Sequence, residues 1–173
     1  MIYFCSENYL KQIGIINDNV DATAFMPLVQ FASAAFIKKQ LGSIFYQDLL
    51  TKYNDQTLDA NEIIIVEYIQ PAVCWRAVAN AGVSLTYGLF NKGYQKQTGE
   101  QSTNVDLKEV QFMYDHYIQQ AFYFENELKT YLIANKDLYP LFMSADNIDS
   151  SIKNSCCNGG GNNYNEGVGF LLI

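Results

Sequence analysis

The chain is poor in the residue types that most enzymes rely on. Its 173 residues include one histidine, three prolines, four cysteines and 11 basic side chains against 18 acidic ones. A Ser-His-Asp or Cys-His site has to use His116, and a carboxylate-bridged metal pair lacks its second histidine. "FMYD" precedes His116, so the Glu-x-x-His helix signature of di-iron bundles is absent. His116 therefore reads as a solvent-facing or partly buried helix residue. The net charge of −7 disfavours direct nucleic-acid binding, which needs a basic footprint to displace counterions. It still permits a protein that surrounds passing DNA without gripping it. No apolar run approaches the roughly 20 residues of a membrane span. "MIYFCSENYLKQIG" shows no basic leader followed by a long apolar run, so no signal peptide is expected. Neither "GLFNKG" nor "NGGG" has the spacing of a phosphate loop. Cys5, Cys74, Cys156 and Cys157 show no zinc spacing, the adjacent pair cannot readily bridge to itself, and a reduced cytosolic site of synthesis fits.

What the chain has is apolar and aromatic mass. Hydrophobic residues make up 49% and aromatics 14%, with 13 Tyr and 11 Phe, which predicts a real core and amphipathic rings suited to contact surfaces. The patterning is helical. A short helix is expected near Ser6–Gln12. A second covers about 25–40, with Leu28, Phe31, Ala32, Ala35 and Phe36 as its apolar stripe and Gly42 as its stop. "SIFYQDLLTKY" supplies a third. A long, nearly all-apolar helix runs from about Glu62 to Phe90, opened by a capping box of Asp59 and Glu62 and kinked at Pro71. Residues 91–104 read as a long polar loop. A final helix covers about 105–135, its stripe formed by Val110, Met113, Tyr117, Ala121, Phe124, Leu128 and Leu132.

The expected architecture is all-α: an antiparallel helical bundle of about four helices with extended N- and C-terminal arms. The division is an N-terminal arm over 1–24, a bundle over 25–143 and a docking tail over 144–173. The carboxylates are mostly explained by capping and solvated helix faces, and Trp75 beside Arg76 suggests a cation–π contact, with core packing the first explanation of the ring. No catalytic residue, cofactor or metal is assigned. The candidate contacts are the apolar tip Phe170, Leu171, Leu172 and Ile173, and Lys92, Tyr94 and Lys96 in the polar loop. A slack Asn/Gly tether ending in four apolar residues suits burial in a partner chain. The broader alternative is a soluble helical binding module acting as a monomer or dimer.

A family resemblance sharpens this expectation. "SENYLKQIGIINDNVD", "LGSIFYQDLL", "YGLFNKG" and "YLIANKDLYPLF", in that order over about 6–142, resemble the head–tail connector (adaptor) proteins of tailed phages, particularly those infecting Bacteroidetes and the crAss-like group. The helix face at Ala32-Ser33-Ala34 is less polar than that pattern. The resemblance implies a non-catalytic virion protein of the neck, located at the head–tail interface and assembled in the host bacterial cytoplasm. It implies a homo-oligomeric ring, usually of twelve copies, that extends the DNA channel. Its partners are then the portal protein and a second neck ring or tail protein, with no sequence-specific nucleic-acid contact and no membrane.

Overall fold

The computed structural model describes residues 3–12, 22–90, 93–96 and 106–156. The fold is all-α with one small hairpin. In chain order it comprises α1 (Glu7–Gln12), α2 (Ala22–Ala32), a π-helical turn (Ser33–Ile37), α3 (Lys38–Leu41), α4 (Ser43–Asp55), α5 (Ala60–Thr86), β1 (Tyr87–Phe90), β2 (Gly93–Lys96) and α6 (Leu107–Ala134). A 3₁₀ turn (Lys136–Leu138), α7 (Pro140–Met143) and α8 (Ser151–Cys156) complete it.

The centre is the α5·α6 pair. Tyr68 meets Tyr131, and Arg76 meets Glu125. Rising numbers on one helix therefore face falling numbers on the other, so the pair is antiparallel. Each helix opens with the local chemistry its sequence announces. At α5, Glu62 N–H donates to Asp59 Oδ1 (2.8 Å) while Asp59 N–H donates to Glu62 Oε2 (3.0 Å). At α6, Asp106 and Glu109 form the same reciprocal cap. These boxes satisfy amide donors that a helix start leaves orphaned. The core contains Ile65, Ile69, Val73 and Ala77 of α5, Leu128 and Leu132 of α6, and Leu41, Leu49, Phe142 and Ile152 from the elements around them.

The α2 stripe is displaced from its expected place. Phe25, Val29, Ala32 and Ile37 are buried, whereas Phe31 is 54% exposed and Leu28, Ala35 and Phe36 are half-buried. Ser33 is also fully buried, so the core face runs Phe25, Val29, Ser33 and Ile37 in steps of four, and the wider π turn over Ser33–Ile37 carries that face to Ile37. Met113 of the α6 stripe is likewise exposed. The long helix also ends four residues early, at Thr86, and Tyr87–Phe90 pairs antiparallel with Gly93–Lys96. Tyr, Leu and Phe suit a strand, and a two-residue separation suits a tight hairpin.

Both expected arms contribute packed residues. Phe4 and Cys5 are fully buried, Phe4 lies against Tyr46 and Tyr53, and Cys5 is disulfide-bonded to Cys74 of α5. That bridge departs from the reduced cysteines expected of the sequence; it spans 69 residues, a separation in which no spacing rule operates. At the other end, residues 144–156 fold onto the bundle instead of leaving it at 144. Asn147 Nδ2 donates to the Leu41 and Phe142 carbonyls (2.8 and 3.1 Å), and Ser150 Oγ donates to the Gln40 carbonyl (2.5 Å). Lys153 Nζ donates to the Ser144 carbonyl, and Ile152 is buried. Gly42 adopts φ +85°, and a Cβ there would overlap the Asn147 side chain. Asp149 then accepts from Ser43 N–H (2.8 Å) and from the Ser43 hydroxyl, capping α4 from across the chain. These hydrogen bonds hold the Asp149 carboxyl below the usual carboxylate range.

Candidate functional site

Of the sequence-derived contacts, Phe170, Leu171, Leu172, Ile173 and Lys92 lie outside the described residues. Tyr94 and Lys96 are placed on β2, opposite Leu89 and Tyr87 respectively. The polar loop therefore contains a strand. It follows the α5 end of the central pair directly, because β1 begins where α5 stops.

Two features that sequence reading missed stand out on α6. The first is its outward face. At 100° per residue, Phe112, His116, Gln119 and Tyr123 fall within one narrow sector, roughly opposite the buried Val110, Ala121, Leu128 and Leu132. Phe112 is 69% and Tyr123 59% exposed. Their Cα atoms stand about 16 Å apart along the axis at about 1.5 Å per residue. His116 sits between them, edge-on to Tyr117. Glu109, Asp115 and Glu127 flank the sector together with the exposed Lys108, giving it a charged rim. Large rings facing water at helical spacing are the compositional mark of a contact surface.

The second feature is a buried ionic knot. Arg76 of α5 and Glu125 of α6 are each 6% exposed and pair through two bonds, Nε to Oε1 (2.7 Å) and Nη2 to Oε2 (2.9 Å). The guanidinium lies between two rings, 4.0 Å from the Phe36 centroid and 4.4 Å from that of Phe122. Glu125 is thus not a solvated helix carboxylate. The cation–π partners of Arg76 are these phenylalanines, while Trp75 stacks on Tyr117. The π turn carries Phe36 to the knot.

Beside the knot opens a cleft of about 250 Å³, lined by Gln40, Phe122, Glu125, Asn126, Lys129, Ser151 and Ile152. The Gln40 Oε1 atom is buried with no hydrogen-bond partner among the described residues. Lys129 makes no ion pair among them either. No group of three or more His, Cys, Asp or Glu residues is arranged to hold a metal among the described residues. None of the described helices is long and apolar enough to cross a membrane.

The described surface thus combines exposed rings with charged flanks and a polar cleft with a lysine at one end. No curated protein and no solved structure matches the chain. A family model does match, over residues 37–152, a span that runs from the last residue of the π turn to the buried Ile152 and encloses Gln40, Arg76, Glu125 and Lys129. The chain belongs to that family, DUF6712, a family of unknown function.

Proposed function

We propose that this chain is a helical binding module that works by contact with other protein chains and not by catalysis. The outward face of α6 carries this reading: Phe112 and Tyr123 stand largely in water beside Met113, opposite the face that holds the core. Holding such rings exposed forgoes roughly 1.5–3 kcal/mol each of burial, which a partner surface recovers. The fixed backbone of α6 keeps them in place beforehand, and that lowers the ordering cost of association.

A finer reading is a subunit of the head–tail connector ring of a tailed-phage virion, docked on the portal protein and supporting a second neck ring or tail protein. Its support is the ordered set of sequence segments between residues 6 and 142. An acidic chain suits a DNA conduit, because like charge keeps the polymer from adhering to the wall. Phe170–Ile173, with Lys92, Tyr94 and Lys96, would then be the docking contacts.

The two levels separate by experiment. Light scattering behind size exclusion, run over a concentration range, should detect an assembly that Phe112→Asp with Tyr123→Asp dissolves while helical circular dichroism is retained. A wild-type chain that stays monomeric and shows no partner-dependent protection of α6 in hydrogen exchange sinks the contact reading. Mass spectrometry of purified virions decides the finer one: absence of the chain removes the connector assignment and leaves the module.

A further inference from the structure

We infer that the partner of the α6 outward face is the same face of a second copy of this chain, laid antiparallel about a two-fold axis between Tyr117 and Ile118. This pairing rests on the reading of the chain as a binding module and names the partner of that surface. Lys108, Phe112, His116, Gln119, Tyr123 and Glu127 are all exposed and follow one another at steps of four or three. At 100° per residue they lie within about 50° of one line along the helix. Turned end for end about the point between Tyr117 and Ile118, this series falls on itself. Phe112 meets Tyr123, His116 meets Gln119, and Lys108 meets Glu127. Ring lies on ring, polar group on polar group, and cation on anion.

The charges set the direction. Neither Lys108 nor Glu127 makes an ion pair among the described residues, so each is left to a partner. A parallel pairing places Lys108 on Lys108 and Glu127 on Glu127, and like charges across a contact oppose it. The antiparallel pairing joins Lys108 to Glu127 twice, once at each end of the seam. Glu109 shares the flank of Glu127 and comes close to it across the axis. Its carboxylate, however, accepts from Asp106 N–H (2.8 Å) and is drawn back over the start of its own helix. That same turn presents the positive end of the α6 dipole to Glu127 of the second copy.

From Lys108 to Glu127 the seam is about 28 Å long at about 1.5 Å per residue. One helix width over that length buries on the order of 1,000 Å² in total, the lower edge of a specific interface, so the dimer should form at about micromolar concentration. Val110, Ala121, Leu128 and Leu132 already fix α6 from the opposite side, and the pairing needs no refolding. A dyad contact uses one patch twice and closes at two copies, whereas neighbours in a ring meet through two different patches.

The test uses the full chain. Sedimentation velocity over a concentration range should show a monomer–dimer equilibrium. Lys108→Glu and Glu127→Lys, each with wild-type circular dichroism, should each weaken the dimer about tenfold, because each reverses two contacts per dimer. The double variant should return to within about threefold of wild type. An equimolar mixture of the two single variants should associate more tightly than either alone, since every contact then joins Lys to Glu. A merely structural loss does not recover on mixing.

Single reversals that leave association unchanged, or a double variant and a mixture that both fail to recover, overturn the dyad. A larger ring that Phe112→Asp with Tyr123→Asp dissolves, and that the reversals do not touch, leaves the module standing and removes this pairing. So does a monomeric wild type whose α6 gains hydrogen-exchange protection only with a different protein. A monomer that gains no such protection removes both.

Discussion

Arg76 and Glu125 show how much one pair of side chains can decide. Neither alone is tolerable at 6% exposure, because an unpaired charge in that setting keeps its desolvation penalty. Glu125→Ala is expected to lower stability by about 3–5 kcal/mol in urea denaturation. Arg76→Met with Glu125→Leu is expected to lose far less, since both penalties leave together. Gly42 makes a second test. Its φ of +85° and the Asn147 side chain over its Cα leave no room for a Cβ, so Gly42→Ala should cost at least about 1–3 kcal/mol. Asp149 gives a pH signature. Its carboxyl is held below its unfolded value, so its contribution is present above about pH 4 and is lost as pH falls through the lower folded value. The stability gap between wild type and Asp149→Asn should therefore be open at pH 7 and close in acid.

Helix starts and helix centres were legible from sequence because they depend on residues three or four apart. Asp59 with Glu62 is such a case, and so is the placement of Leu128 and Leu132. The π turn was hidden, because a stripe drawn at 3.6 residues per turn has no place for its wider spacing, and Ile37 was left off the core face. Residues 144–156 were read as tail because they are polar. Asn147 and Ser150 are polar in order to meet the Leu41 and Gln40 carbonyls left open at the end of α3, and Lys153 meets the Ser144 carbonyl of its own segment, uses that composition does not reveal. At this scale the expectation is asymmetric. Deleting Gly167–Ile173 should leave helical ellipticity and melting unchanged. Ile152→Ala should cost about 2–5 kcal/mol, and ending the chain at Met143 should cost more, because the cap on α4 goes as well.

Over the whole molecule, the all-α class was readable because a long, nearly all-apolar helix needs neighbours on several sides and the amphipathic α6 offers it a stripe. The contacts that join distant parts were not. Cys5 and Cys74, Arg76 and Glu125, and Ser43 and Asp149 are 69, 49 and 106 residues apart, and only the folded chain brings them together. The candidate cleft falls in the same class, since its walls come from three separate helices. The disulfide closes the largest covalent loop in the described structure. Cys5→Ser is expected to lower stability by about 2–5 kcal/mol in oxidised protein, and by much less when wild type and variant are compared under reducing conditions.

The Gly42 junction has a temporal side as well. Its carbonyls and the α4 start are completed by Asn147, Asp149 and Ser150, which a ribosome adds more than a hundred residues after Leu41. During synthesis the first half of the molecule is thus an unfinished surface, and the nascent chain must keep it soluble until its closing stitch arrives. Premature termination anywhere before Ser150 leaves that seam open, whatever the quality of the helices already made.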